Sequence, residues 1–264
     1  MLPRSVLSCG KFYLPEFVRN AGLSGASIRL TVHSIMLRPG SHEIEVTSFA
    51  LDDEAVLPLD LAREWLNEEE RDRADRFIFP IHRDRFSRGR AMLRRLLAGH
   101  LGIGPDRVVF ETSERGKPFL PGEPLHFNLS HSEGRAALAV SCLPSIGIDL
   151  ECFDRRVDVD GLSRRCFRES ELCGLRDLSD EEKRRAFFWI WTAKEARMKA
   201  TGEGFHLEPQ RIEIVCRDGL PRNCLEPAFP AAHVMPVVFP DGGAACTVVA
   251  LSPFSVSLTE VPGF

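Results

Sequence analysis

The stretch FWIWTAKEARMKATGEG, residues 188–204, decides how the rest of the chain is interpreted. Trp189 and Ala193 begin an apolar stripe at helical spacing, which is typical of a helix packed on a protein core. Glu195 and Lys199 are four residues apart, so they lie on one face of the same helix. The plain alternative is a surface ion pair, worth roughly a few tenths of a kcal/mol. Such a pair needs no aromatic residues behind it, so the stretch favours a helix that is anchored on one side and faces a cleft on the other.

The composition excludes several classes of protein. The chain has 264 residues, of which 44% are hydrophobic and 27% charged, and its net charge is −4. These values are ordinary for a globular protein and give no overall attraction to nucleic acid or to a membrane surface. The longest apolar runs, such as 136–140 and 248–251, are far too short to span a bilayer. We therefore expect neither nucleic acid nor a membrane as a partner.

The eight cysteines form no CxxC pair, and no Cys/His set has the spacing of a structural zinc site. A disulfide framework is not expected in a chain of this length without a secretory signal. We expect reduced, mostly buried thiols in a cytoplasmic protein.

The order of predicted elements divides the chain into two α+β halves. A run of helices followed by strands occurs twice, with the join near Pro144. We predict an N-terminal extension of unknown role at 1–42, an N-terminal half at 43–144 and a C-terminal half at 145–264. The predicted strands are 43–51, 107–112, 125–130, 135–141, 145–151, 211–216, 233–239 and 246–252, and the predicted helical stretches are 59–77, 81–102 and 160–186 together with the opening stretch.

The segment GIDLE, residues 147–151, carries two carboxylates at strand spacing. Asp149 and Glu151 point to one face while Ile148 and Leu150 point to the other. Adjacent carboxylates repel unless a cation lies between them, and oxygen ligands suit a hard ion such as Mg²⁺. The alternative is an edge strand with its polar face in water. If the opening helix packs beside this strand, Glu195 becomes a third ligand, and Lys199 is placed to neutralise a phosphate oxygen.

Two further motifs carry polar groups. In HFNLSHSEGRAALAVS (126–141), Asn128, Ser130 and Ser132 share a strand face and His131 stands near the strand end. This arrangement suits a phosphate or sugar, with a purely structural histidine as the alternative, and no GxSxG motif indicates a serine hydrolase. In ERGKP (114–118), a rigid loop presents a lysine, although such loops are common turns.

The predicted second helix is strongly basic. Its arginines suit a polyphosphate ligand or an acidic protein partner, and a solvated basic face is the alternative. The arginines of this helix are Arg83, Arg85, Arg88, Arg90, Arg94 and Arg95.

The motifs GKP, FNLSHS, GIDLE and WTAKEARMK, in this order, resemble those of the surfactin-synthetase-activating type of 4′-phosphopantetheinyl transferase. The resemblance covers residues 43–255. It implies a monomer of two similar α+β halves in pseudo-twofold arrangement, with coenzyme A as the substrate and Mg²⁺, or alternatively Mn²⁺, in the cleft between them. It also implies transfer of the 4′-phosphopantetheine arm to a serine of an apo acyl or peptidyl carrier protein, with release of adenosine 3′,5′-bisphosphate.

The resemblance also implies roles for individual residues. Asp149, Glu151 and Glu195 match the metal ligands, Lys199 matches the lysine on the coenzyme diphosphate, and Glu195 is the candidate general base. Glu70 is a departure, because some family members carry a basic residue there. The remaining coenzyme contacts implied by the motifs are Arg73, Arg85, Gly116, Lys117, Ser130 and His131.

Two other functions are compatible with these residues. One is a non-catalytic protein that binds a carrier or a nucleotide with the same fold. The other is a Mg²⁺-dependent phosphohydrolase or nucleotidyl transferase that uses the same three carboxylates.

Overall fold

The computed structural model of the protein describes residues 39–122, 125–226 and 232–261, with the backbone alone at residue 205. All of these residues belong to one compact unit. The predicted extension at 1–42 lies almost entirely outside the described residues. Among the residues described, no helix combines the length and the apolar character needed to cross a bilayer.

The described chain is a mixed α/β structure, as the sequence predicts. Its strands are β1 (Glu43–Ala50), β2 (Glu111–Thr112), β3 (Pro118–Phe119), β4 (His126–Ser132), β5 (Arg135–Ser141), β6 (Ile146–Cys152), β7 (Glu213–Arg217), β8 (Leu220–Leu225), β9 (Ala232–Val237), β10 (Ala244–Ala250) and β11 (Ser255–Glu260). Its α-helices are α1 (Leu59–Trp65), α2 (Glu68–Asp75), α3 (Pro80–Leu101), α4 (Val159–Cys166), α5 (Glu169–Leu175) and α6 (Asp180–Thr201). Short 3₁₀ turns occupy Pro105–Arg107, Gly204–His206 and Pro209–Arg211.

Two sheets organise the fold. The first has the strand order β11-β1-β5-β4, in which β11 runs parallel to β1 and the other pairs are antiparallel. The second has the order β6-β10-β9-β8-β7 and is antiparallel throughout. Side chains of both sheets share one buried cluster, which includes Val46 and Ala139 from the first sheet and Ile148 and Val248 from the second. The two sheets are therefore joined by a common core.

Several predicted boundaries are wrong. The predicted helix at 59–77 is two helices, because Asn67 caps α2 and forms a capping box with Glu70. The predicted stretch at 160–186 is likewise α4, α5 and the first turns of α6, and the strand predicted at 107–112 is only β2.

The thiol prediction is confirmed in part. The seven cysteines of the described chain are all free, but only Cys224 and Cys246 are buried. The expectation of mostly buried thiols is therefore wrong.

The arginines of α3 mostly serve the fold. The Arg94 guanidinium is buried, and its Nε donates to Glu70 Oε2 at 2.7 Å. Arg90 pairs with the other oxygen of Glu70. Burial raises the pKa of Glu70, but the two guanidinium groups outweigh this effect and the pKa is lowered. Arg88 is also buried and donates to the carbonyl oxygens of Leu51 and Leu57. Along these turns the arginines of α3 are therefore bound within the fold and do not form a solvated basic face.

A glycine sets the distance between β6 and α6. A Cβ at Gly147 would lie 2.1 Å from the Ala196 carbonyl oxygen and 2.5 Å from the Ala200 backbone nitrogen. Ala193, Ala196 and Ala200 are themselves buried against the sheet, as the apolar stripe predicts. Small residues on both elements therefore let the helix approach the strand closely.

We expect Gly147→Ala to lower the free energy of unfolding by about 3 kcal/mol, at the upper end of the effect of overpacking, because both clashing atoms belong to the backbone. Chemical denaturation measures the change. Gly174→Ala is the matched control, since a Cβ there meets no atom within 4 Å, and alanine in a helix is favoured by up to about 1 kcal/mol. Equal stability of the two variants would show that α6 does not need this close approach.

Candidate active site

One cavity of about 830 Å³ collects most of the predicted site residues. It is bounded by α2 and α3 on one side and by β4, β6 and α6 on the other. It contains every residue to which the resemblance gives a metal, catalytic or coenzyme role except Gly116 and Lys117. The charged and polar side chains that line it are Arg73, His82, Arg85, Arg90, Ser130, His131, Ser132, Glu133, Asp149, Glu151, Arg155, Glu195 and Lys199.

A seam of side chains joins β4 to β6 along one wall of this cavity. Both strands lie at the edges of their sheets, so β6 has a row of backbone N–H groups without a partner strand. These groups donate to β4 side chains: Ile148 to Asn128 Oδ1 (2.8 Å), Leu150 to Ser130 Oγ (3.2 Å) and Cys152 to Ser132 Oγ (3.2 Å). Side chains two residues apart thus replace a backbone ladder and satisfy the exposed edge.

The same hydroxyl groups orient the two carboxylates of β6. Ser130 Oγ donates to Asp149 Oδ1 at 2.8 Å, and Ser132 Oγ donates to Glu151 Oε2 at 2.7 Å. Asp149 is 5% exposed and Glu151 7% exposed. The alternative of an edge strand with its polar face in water is therefore wrong.

Two cations balance these carboxylates. Lys199 Nζ lies 2.6 Å from Asp149 Oδ1 and 3.0 Å from Ser130 Oγ. Arg155 pairs with Glu151 Oε1. Burial and the charge of Asp149 raise the pKa of Glu151 above its usual range, although Ser132 and Arg155 oppose the rise. The site therefore holds two desolvated acids, each with a cation on one oxygen.

Glu195 projects from α6 into the same cavity. Burial and the negative charge of Asp149 raise the pKa of Glu195 to about 7, with Lys199 opposing the rise. Its Oε1 is buried without a hydrogen-bond partner among the described residues, and so is Asp149 Oδ2. Two carboxylate oxygens thus remain unsatisfied, which is the condition that a bound cation relieves.

Two arginines on the α2–α3 side of the cavity differ in how strongly other side chains already bind them. Arg85 binds Asp52 through two hydrogen bonds of 2.7 and 2.6 Å, and hydrogen bonding to Asp52 is the main cause that raises the pKa of Arg85. Arg73 is exposed and lies over the Phe86 ring, with 5.1 Å from its guanidinium carbon to the ring centroid. On the β4 side of the cavity, burial and the charge of Lys199 lower the pKa of His131. Arg73 is thus more readily available to an anion than Arg85.

Comparison with known proteins places the chain in a family. The profile of the 4′-phosphopantetheinyl transferase superfamily matches residues 145–243, and a profile for the N-terminal part of these transferases matches 57–143. The 4′-phosphopantetheinyl transferase HetI of Nostoc sp. is 41% identical over 214 residues, which cover 80% of this chain and 89% of HetI. The chain belongs to the 4′-phosphopantetheinyl transferase superfamily.

Other relatives are more distant. The 4′-phosphopantetheinyl transferase of Bacillus subtilis is 28% identical over 68% of this chain and 74% of its own length. The L-aminoadipate-semialdehyde dehydrogenase-phosphopantetheinyl transferase of Xenopus laevis is 31% identical over 57% of this chain and 56% of its own length. The surfactin-synthetase-activating subtype suggested by the motifs is a finer assignment than these matches carry.

The superfamily implies a divalent metal ion, and the residues present fit one. Asp149, Glu151 and Glu195 provide only oxygen donors, the chemistry that Mg²⁺ prefers, and two of their oxygens are unsatisfied and buried. In the part of the chain that the structure describes, however, no three such side chains are already gathered closely enough to hold an ion. Lys199 and Arg155 occupy carboxylate oxygens instead, so ligation requires side-chain rearrangement.

Lys117 of this transferase lies away from the cavity. Its ammonium donates to the carbonyl oxygens of Ile146 (2.9 Å), Lys199 (2.7 Å) and Ala200 (3.1 Å), and burial lowers its pKa to about 8. Gly116 precedes it in a turn with a positive φ of 85°. The structure thus gives Lys117 a role in tying the β2–β3 hairpin to the end of α6, and its contact with coenzyme A stays a prediction.

The first lysine of the WTAKEARMK motif also serves the fold. The Lys194 side chain is fully buried, and its Nζ lies 2.8 Å from Glu171 Oε2 and 3.0 Å from the Pro209 carbonyl oxygen. This agrees with a lysine turned away from Glu195, as its position on the helix predicts.

Sequence reasoning did not assign a site role to several residues that line the cavity. The sequence places Ser132 on one strand face with Ser130 but does not predict its contact with Glu151, although the shared period of two could have indicated it. Trp191 lies one helical turn before Glu195 and also lines the cavity. Arg155 follows β6 in a loop, and no sequence signal distinguishes it from the neighbouring Arg156.

We expect Ser132→Ala to lower the free energy of unfolding by about 1–3 kcal/mol, because the Cys152 N–H and Glu151 lose a buried partner. Thermal or chemical denaturation measures it. Ser170→Ala removes a Ser–Glu hydrogen bond of the same 2.7 Å length at an exposed position, and its effect should stay below about 0.5 kcal/mol. Similar losses in both variants would argue against the seam as a buried structural element.

Proposed function

We propose that the protein transfers the 4′-phosphopantetheine group of coenzyme A to a serine of an apo carrier protein and releases adenosine 3′,5′-bisphosphate. The observation that carries this proposal is the meeting of Asp149, Glu151, Glu195 and Lys199 in a single cavity. Superfamily membership supports the reaction class. The acyl or peptidyl nature of the carrier is part of the proposal.

The cavity suits a large anionic substrate. Its volume of about 830 Å³ is within the range of cofactor sites, and cations line both sides of it. Arg73 and Arg90 lie on the α2–α3 side, while Lys199 lies beside the carboxylates. A nucleotide bound across it would meet cations at its terminal phosphate and at its diphosphate. Arg73, Arg85, Ser130 and His131 are accordingly proposed coenzyme contacts.

In the proposed transfer, Lys199, Glu195 and the other two acids have separate roles. The serine oxygen of the carrier forms a bond to the phosphorus that bears the pantetheine arm, and the bond from that phosphorus to the bridging oxygen breaks. The electron pair leaves with adenosine 3′,5′-bisphosphate. Lys199 stabilises the negative charge that develops on the diphosphate, and Glu195 accepts the serine proton. Asp149, Glu151 and Glu195 would hold the divalent ion, which supplies further electrostatic stabilisation when bound.

Finer features follow from the same proposal. The chain is of the surfactin-synthetase-activating type, with two similar halves related by a pseudo-twofold axis. The halves would correspond to β1–β5 and β6–β11, each containing one helix of 22 residues, α3 or α6. We also predict that the metal is Mg²⁺, with Mn²⁺ as the alternative. A monomeric state and a cytoplasmic location, without nucleic-acid or membrane partners, are further predictions.

Mass spectrometry of an apo carrier protein incubated with coenzyme A, Mg²⁺ and the protein tests the proposal. We expect the carrier to gain one phosphopantetheine group. Lys199→Ala should reduce the rate by about 100-fold or more, because one preorganised charge at the transition state is lost. Asp149→Asn and Glu195→Gln should reduce it comparably, and Glu169→Gln, an exposed acid on α5, should not.

The other outcomes identify the alternative functions. An unmodified carrier with intact coenzyme A would indicate a binding protein without this activity. Breakdown of coenzyme A without labelling of the carrier would indicate a phosphohydrolase. Full activity of Glu195→Gln at saturating Mg²⁺ would exclude Glu195 as proton acceptor and as an essential ligand.

We expect Arg73→Ala to raise the KM for coenzyme A by about 10-fold while kcat changes little, since the loss of one exposed phosphate contact affects ground state and transition state alike. Steady-state kinetics at fixed carrier concentration measures both constants. Arg76→Ala is the control, because Arg76 is an exposed arginine on the same segment that does not line the cavity. An equal rise in both variants would indicate a general charge effect.

A further inference from the structure

Arg155 is a cavity residue with no role in the proposed reaction. It follows β6 in a turn, four residues after Glu151, and its side chain is 43% exposed. Its backbone is held in place, because its carbonyl oxygen accepts from Arg184 of α6 and its N–H donates to the Cys152 carbonyl oxygen at 3.2 Å. A fixed backbone with a long, half-exposed side chain allows the guanidinium to move while the loop stays in place.

The three carboxylates differ in what they offer to a cation. Asp149 and Glu195 each have one buried oxygen without a hydrogen-bond partner among the described residues. Glu151 has both oxygens engaged, since Oε2 accepts from Ser132 and Oε1 pairs with Arg155. A divalent ion bound by all three carboxylates must therefore share an oxygen of Glu151 with one of these two partners or displace that partner.

Ser132 is the less replaceable partner. It is 5% exposed, and its oxygen also accepts from the Cys152 N–H, so that moving it would break the seam between β4 and β6. Arg155 makes its contact from the solvent side of the cavity. Sharing Oε1 between a guanidinium and a divalent ion would hold two cations in close contact, which their repulsion opposes.

We propose that Arg155 acts as a displaceable counter-ion: it neutralises Glu151 while the cation site is empty, and it leaves Glu151 when the divalent ion binds. This inference rests on the metal site of the proposed function. The Arg155 guanidinium also interacts electrostatically with Glu195, so its charge partly compensates two of the three acids. The released guanidinium still lines the cavity, where it is available to the phosphates of a nucleotide substrate.

The test is calorimetric titration of Mg²⁺ into the full-length protein without coenzyme A. Removal of a competing cation should tighten metal binding, so Arg155→Ala should lower the Kd roughly fivefold or more, the scale of an ordinary coupling between two ligands. Arg156→Ala is the matched control, because it removes the same charge from an exposed neighbour and should change the Kd less than about twofold. Arg155→Lys keeps the charge and should stay closer to wild type than Arg155→Ala.

A double variant makes the test specific. In a Glu151→Gln background the gain from Arg155→Ala should disappear, because there is no longer a carboxylate for which the two cations compete. The inference is overturned if Arg155→Ala binds Mg²⁺ no more tightly than wild type, or if Arg156→Ala tightens binding equally. Thermal unfolding of each variant without metal verifies that the fold is retained.

Failure of the underlying metal site gives a different result. If the wild-type protein does not bind Mg²⁺, or if Asp149→Asn leaves the affinity unchanged, the metal site of the proposed function is wrong. If wild type binds, Asp149→Asn weakens binding and Arg155→Ala has no effect, only the displacement of Arg155 is wrong.

Discussion

The hydrogen bonds between the β4 side chains and the β6 backbone are the interaction on which the site depends. They satisfy three N–H groups at a sheet edge, and the two serine hydroxyls also hold Asp149 and Glu151 in the cavity. Buried carboxylates are stable only when paired or hydrogen-bonded. Because each hydroxyl both accepts from the backbone and donates to a carboxylate, the strand pairing and the placement of the acids cannot be separated.

The other wall of the site is built from a second kind of interaction. Arg88 and Arg94 of α3 are buried and bind main-chain carbonyl oxygens of loops that precede and follow the helix. Glu70 of α2 forms ion pairs with both Arg90 and Arg94 of α3. Glu70 thus has a structural role here, as the partner of two arginines. Fixed guanidinium groups in α3 leave Arg73 as a more available cation toward an incoming phosphate.

Sequence patterns predicted the elements that determine the site better than they predicted its details. The period of two in GIDLE placed Asp149 and Glu151 on one face, and the spacing of WTAKEARMK placed Glu195 and Lys199 together. Both predictions are local, and the structure confirms them. The ion pairs of the α3 arginines and the carbonyl contacts of Lys117 depend on residues distant in the chain, which no local spacing encodes. The break at Asn67 did have a local signal, the capping box with Glu70, which the longer apolar pattern obscured.

The pairing of β11 with β1 has a consequence for how the chain acquires its structure. These strands are parallel and in register from Glu43 opposite Ser255 to Ser48 opposite Glu260, so one edge of the first sheet is completed by a strand that is synthesised after every other described strand. Until β11 has been synthesised, the edge of β1 that pairs with it stays unpaired. Contacts between residues that are far apart in the chain also form slowly. Edge-to-edge aggregation is therefore favoured while only the first half of the chain has been synthesised. At that stage we expect the nascent chain to depend most on chaperones.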